Sequence, residues 1–187
     1  LLGVVKPGAQ AAVQCANGRG IAVLATEATV ASEAYPRAIH ALDPNIPVLQ
    51  RQCPSLVSLI EEGRDSDDDI LRRLLAEYLE TVRTLEPAVV LLGCTHYPLV
   101  AQAVSDLMPG VQVVDSADAT AEAARQMLTE MDALSSRPGR GKLHCYVSDA
   151  PHRFEKVGGR FLGQPIREVT WVSPEQFFHE HTLHPAS

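Results

Sequence analysis

Ala88-Val89-Val90-Leu91-Leu92-Gly93-Cys94-Thr95-His96-Tyr97-Pro98-Leu99-Val100 is the stretch that decides the fold. Ala88 to Leu92 is apolar without alternation, which reads as a strand buried on both faces in a parallel sheet. Pro98 suits the first turn of a helix, and Leu99, Val100, Ala103, Val104 and Leu107 follow at helical spacing. A cysteine therefore stands on the turn from a buried strand into a helix, at the sheet edge where open α/β proteins bind ligands. Helix-start amides and the nearby His96 would favour thiolate over thiol there. The plainer alternative is a small buried apolar cysteine. The local context favours the reactive reading.

Outward from this stretch the same alternation repeats. Ile21 to Ala25 reads as a second buried strand, followed by a helix with Val30, Ala34 and Ala38 on one face. Thr26 and Thr29 at its start are explained by capping alone. Ile46 to Leu49 reads as an edge strand, because Pro47 lacks a donor. Cys53-Pro54 opens a helix through Glu62 that Gly63 stops, with Cys53 expected to pack. A helix from Asp68 to Leu85 places Ile70, Leu74, Leu75, Tyr78, Val82 and Leu85 together. Val111 to Ser116 reads as a strand and cap, followed by a helix with Ala117, Ala121, Ala124, Leu128 and Met131 aligned. At the two ends, Leu1 to Val5 looks strand-like before a helix from Gly8 to Cys15. After a loop over Ser135 to Lys142 come a strand (Leu143 to Ser148), a helix with Phe154, Val157, Phe161 and Leu162 inward, and a strand from Ile166 to Val172. His179, His181 and His184 belong to a polar tail and do not match a zinc-protease pattern.

Composition sets outer bounds. The chain has 187 residues, 45% of them hydrophobic, and a formal net charge of -7. That charge argues against nucleic acid, which needs a basic surface. No apolar run reaches the ~18 residues of a membrane helix, and no signal peptide is legible, so a cytoplasmic protein without membrane association is expected. Cys15, Cys53, Cys94 and Cys145 are widely spaced, as in reduced cytosolic chains, and no metal site clusters around Cys94 and His96. The fold class is α/β, with mainly parallel sheets and flanking helices.

Three segments carry a family resemblance. Gly93-Cys94-Thr95-His96-Tyr97-Pro98-Leu99 resembles the second-cysteine motif of the glutamate racemases, within the aspartate/glutamate racemase family. Related racemases of aspartate and hydantoins share the Gly-Cys-Thr start but not the His-Tyr-Pro continuation. Ala25 to Tyr35 is similar to the family's Thr-x-x-Thr-Val-x-Ser-x-x-Tyr segment. Cys53 to Glu61 resembles its Cys-Pro-x-x-Val-Pro-Leu-Val-Glu segment, with Ser58 in place of the second proline. The resemblance runs from about Val4 to Val172. The family's opening Asp-Ser-Gly, Pro-Tyr-Gly and first Cys-Asn-Thr motifs are absent, as in a racemase without its first third.

The resemblance implies two similar α/β domains, the N-terminal-half one incomplete here. Residues 8–115 would form the complete domain with the second-cysteine motif. Residues 1–7 and 116–187 would be the remainder of the other. It implies cofactor-independent inversion of glutamate, supplying D-glutamate to peptidoglycan synthesis. Cys94 would act on the L-glutamate face, assisted by His96 with Glu61 behind it. Thr95, His96, Thr26 and Thr29 would contact substrate. A homodimer is also carried as an expectation. Two other readings stand beside this one: a catalytically silent remnant binding a small carboxylate or a partner subunit, and another cysteine-dependent enzyme, for example a different racemase.

Overall fold

The computed structural model describes residues 1–136, 139, 141–173, 175 and 176. Two expectations fall partly or wholly outside them: the loop at 135–142, at residues 137, 138 and 140, and the histidines at 179, 181 and 184. The chain separates into two compact units, Leu1–Ser135 and Ser136–Ser187.

The first unit is built on a parallel sheet. Its strands are β1 (Ile21–Ala25), β2 (Val48–Gln52), β3 (Val89–Leu92) and β4 (Gln112–Asp115), in the order β2-β1-β3-β4. β1 and β3 are fully buried and central, as their uninterrupted apolar runs require. β2 is an edge strand, and Pro47 lies just before it, where its carbonyl accepts the Ile21 N–H. The residues of β1 and β3 alternate between two cores. Ala22, Leu24, Val90 and Leu92 pack with α4 (Leu56–Glu61), α5 (Asp69–Arg83) and α6 (Ala101–Leu107). Ile21, Val23, Ala25, Val89 and Leu91 pack with α1 (Val5–Ala16) and α3 (Ala34–His40). The result is a helix–sheet–helix sandwich. α7 (Ser116–Glu130) lies along α1. The boundary expected at residue 115 falls at the β4–α7 junction, inside this first unit.

Several expectations are corrected. Leu1 to Val4 forms no strand: Leu1 and Val4 are exposed, and the helix already begins at Val5. The helix expected after Thr26 breaks in two, α2 (Glu27–Ala31) and α3, at Glu33, whose φ is 52°. Gln50 holds the break by donating to Glu33 Oε1 at 2.7 Å and to the Val30 carbonyl at 3.4 Å. On α5 the buried face is Leu71, Leu75, Tyr78, Leu79 and Val82, while Ile70 is exposed. Leu128 and Met131 on or just beyond α7 are also exposed.

The second unit contains β5 (Cys145–Val147), α8 (Pro151–Leu162) and β6 (Val169–Trp171), with β5 and β6 paired in parallel. Phe154, Phe161 and Leu162 were expected to point inward and are instead 39%, 42% and 48% exposed. Among the described residues of their own unit, two short strands are available to cover them. No helix among the described residues is long and apolar enough to cross a membrane.

Candidate active site

Strand order reverses between β1 and β3, since β2 lies on one side and β4 on the other. The crevice at the carboxyl ends of such strands is where doubly wound sheets bind ligands. The turn leaving β3 carries Gly93, Cys94, Thr95 and His96 into this edge. Gly93 N–H donates to the Leu24 carbonyl at 2.8 Å, which pins the turn to the end of β1. A short 3-10 helix, Tyr97–Val100, follows, and α6 begins only at Ala101.

Cys94 is half-buried, with Sγ 3.9 Å from His96 Nδ1. His96 Nε2 lies 2.9 Å from Glu61 Oε1 at the end of α4. The three groups form a line running cysteine, imidazole, carboxylate. Both imidazole and carboxylate keep about a quarter of their side-chain surface in solvent (24% and 28%). A carboxylate accepting from Nε2–H leaves Nδ1 as an acceptor facing the thiol. Glu61 comes from a segment 35 residues away, so the pair records tertiary folding rather than local sequence.

The expected thiolate is not what the surroundings favour. Burial pushes the Cys94 thiol up. The His96 and Tyr97 amides and the Thr95 hydroxyl pull the other way without reversing it. A single 3-10 turn presents a weaker dipole than the full helix expected from the sequence, so desolvation prevails. Cys94 therefore rests as a thiol at neutral pH.

Cys53 differs in kind. It is fully buried, and its thiol is pushed up to about 12, chiefly by desolvation. Its S–H points to the Arg51 carbonyl at 3.6 Å. Tyr97, also fully buried, donates its hydroxyl to the Cys53 carbonyl at 3.2 Å, tying the β3 turn to the end of β2. The sequence reading missed Tyr97. Its only signal was an aromatic residue directly after the reactive turn.

Thr26 and Thr29 lie on the turn from β1, beside the β3 turn. Thr26 Oγ1 caps α2 by accepting the Thr29 N–H at 3.4 Å, and the two hydroxyls lie 3.0 Å apart. Thr95 is exposed. Among the described residues no group of three His, Cys, Asp or Glu converges to hold a metal.

Residues 1–124 match the model of the Asp/Glu/hydantoin racemase family. The chain belongs to this family. Glutamate racemase of Geobacter metallireducens is 36% identical over 176 residues, which are 94% of this chain and 65% of that protein. The Neisseria meningitidis glutamate racemase is 35% identical over 92% of this chain and 64% of its own length. A glutamate racemase isoform from Bacillus anthracis superposes with a TM-score of 0.85 at 28% identity, covering 92% of this chain and 64% of that one. The Francisella tularensis glutamate racemase, solved with D-glutamate, gives 0.82 at 30% identity, with coverages of 92% and 63%. The chain thus spans a little under two thirds of the relatives it matches. The α/β class with a parallel, helix-flanked sheet agrees with these racemase structures.

Proposed function

We propose that this chain supplies one catalytic face of a cofactor-independent glutamate racemase. The observation that carries the reading is the Cys94–His96–Glu61 line at the switch point of a racemase-family sheet. It is supported by relatives and neighbouring structures that bear the glutamate racemase name.

Inverting the α-carbon of an amino acid requires a base on one face and an acid on the other. Cys94 is the group for one face. As a thiol it gives its proton to the carbanionic carbon. In the reverse direction the thiolate takes the α-proton. His96 Nδ1 holds the thiol proton in transit, and Glu61 keeps the imidazole oriented through Nε2. Thr95 and the amides of the turn receive the substrate carboxylate, and Thr26 and Thr29 extend the same pocket from the β1 turn. Spreading charge from the reacting carbon into a well-held carboxylate lowers the barrier. The product would be D-glutamate for peptidoglycan synthesis in the cytoplasm. Residues 8–115 are the domain that carries this face. Residues 1–7 and 116–187 contribute to the domain that carries the other, and a homodimer is compatible with this arrangement.

The test uses this chain fused behind the N-terminal third of the Geobacter relative. Cys94→Ser should abolish inversion of either enantiomer while far-UV circular dichroism stays unchanged, because the volume change is small. Racemisation near the parent rate in that variant would refute the assignment. Aspartate and hydantoin substrates should be inverted poorly beside glutamate.

A further inference from the structure

Gly93, the residue before Cys94, has no room for a side chain. A Cβ there would stand 2.8 Å from Cε2 of Tyr35 and 3.2 Å from both Ala25 Cβ and the Leu24 carbonyl oxygen. The opposite edge of the same ring faces a second glycine. A Cβ on Gly8 would lie 3.6 Å from Tyr35 Cε1 and 2.9 Å from Ser116 Cβ. Tyr35 is only 2% exposed and sits in the first turn of α3, just after the left-handed Glu33. Burial raises its phenol, while the Ser116 side chain at the start of α7 acts in the opposite sense. The backbone is thus thinned to glycine on both edges of one buried aromatic ring. An ordinary core filler would not need that on the very residue preceding the cysteine.

We propose that Tyr35 is a positioning residue for Cys94, a wedge between Gly93 and Gly8 that fixes how the β3 turn stands and so where Sγ lies relative to His96. Its importance to catalysis rests on the reading of Cys94 as the acting thiol. The contact itself can be tested without that reading. The ring acts through Gly93, by sterics, and the hydroxyl is secondary.

Alkylation of Cys94 by iodoacetamide in the 187-residue chain, followed against pH, reports the position and burial of Sγ whether or not the chain racemises. Peptide mapping separates Cys94 from Cys15 and Cys145, which serve as internal controls. Tyr35→Phe keeps the wedge and should leave the Cys94 profile within about twofold of the parent. Tyr35→Leu removes the ring and lets water reach the turn. Burial is what holds the thiol up, so its profile should move to lower pH, with alkylation at neutral pH rising about threefold or more while Cys15 is unchanged. Gly93→Ala should shift the profile strongly in the parent and much less in the Tyr35→Leu background.

A folded Tyr35→Leu chain with the parent Cys94 profile would overturn the proposal. So would additive effects of Gly93→Ala and Tyr35→Leu, or equal acceleration at Cys15 and Cys94. If Tyr35→Leu does not fold, a parent-like profile in Gly93→Ala overturns the proposal by itself, because that variant pushes on the ring from the other side. Loss of racemisation in a complete enzyme with an unchanged alkylation profile would likewise count against the wedge, without touching the role of Cys94.

Discussion

Replacing Cys53 with alanine removes a thiol that the fold holds near 12 against an ordinary value of 9.0. Desolvation is the main cause; the Arg51 charge and the Ala25 backbone pull the other way, and the neighbouring Cys94 adds to the rise. The sign follows from linkage. At pH below 9 the thiol is protonated in both folded and unfolded chains, and it adds no pH dependence. Above 9 the unfolded chain releases the proton and the folded chain keeps it, so folding weakens as pH rises until the folded thiol also ionises near 12. The slope is at most about 1.4 kcal/mol per pH unit, or ~4 kcal/mol across the whole window. From pH 9 to 10.5 it amounts to about 2 kcal/mol. Urea unfolding of parent and Cys53→Ala under reducing conditions measures it. The variant should start less stable, having lost a buried side chain, and the difference should close by about 2 kcal/mol by pH 10.5. Other alkaline groups cancel in the comparison. Parallel stability curves, or ready alkylation of native Cys53 at pH 9, would refute the reasoning and reopen Cys53 as a chemical group.

In the fused enzyme, His96→Asn and Glu61→Gln should each lower kcat, and the double variant should lose far less than the product of the two, because one hydrogen bond at 2.9 Å joins them. A partly solvated, charge-assisted bond of this kind is worth about 1–2 kcal/mol, so Glu61→Gln should cost roughly five- to thirtyfold; fully multiplicative losses would make Glu61 a surface residue. The 187-residue chain by itself should show no glutamate inversion, and measurable turnover would show that both faces are served from within it. Amides of β5 and β6 should exchange much faster than those of β1 and β3, and the chain should self-associate with concentration through the exposed Phe161, Leu162 and Trp171. A monomer with uniformly protected strands would contradict this.

What could be read from the sequence was whatever depends on a residue's immediate neighbours. β1 and β3 were legible because a short, β-branched-rich apolar run suits a strand buried on both faces. Gly63, with φ of 104°, and Asp115, whose carboxylate accepts from the Ala117 and Asp118 amides, were legible as a stop and a cap. Leu1 to Val5 misled because an apolar run needs a neighbouring strand to become one. α5 was read with the wrong edge to its apolar face. Ile70 and Leu71 satisfy a helical period equally, and only packing against the sheet chooses Leu71. The state of Cys94 depended on two opposed effects, dipole and burial, and the sequence could not show that a 3-10 turn would weaken the first. Tyr35 was visible in a motif, but the glycines on either edge of its ring lie 27 and 58 positions away from it.

If Cys94 serves one face of the α-carbon, the partner group must approach from the opposite side of the same crevice. Cys53 is unsuited to that task, being fully buried and protonated to about pH 12. Cys15 is also misplaced. It lies in the last turn of α1, which leads through Asn17 to Gly20 into the first residue of β1, so it belongs to the amino end of the sheet. Cys94 stands at the carboxyl end, and a five-residue strand such as β1 separates the two ends by roughly 16 Å. Proton transfer at carbon requires contact. Within Leu1–Ser135, then, neither Cys15 nor Cys53 is placed to reach the far face, and on the proposed reading the unit that holds Cys94, His96 and Glu61 in line would serve one face alone. On that reading, the acid or base for the opposite face would have to approach over the β1 and β3 turns. The elevated thiol of Cys94 suits such a partner, because a site that alternates between one thiol and one thiolate works only if the resting half keeps its proton until the other face has surrendered one.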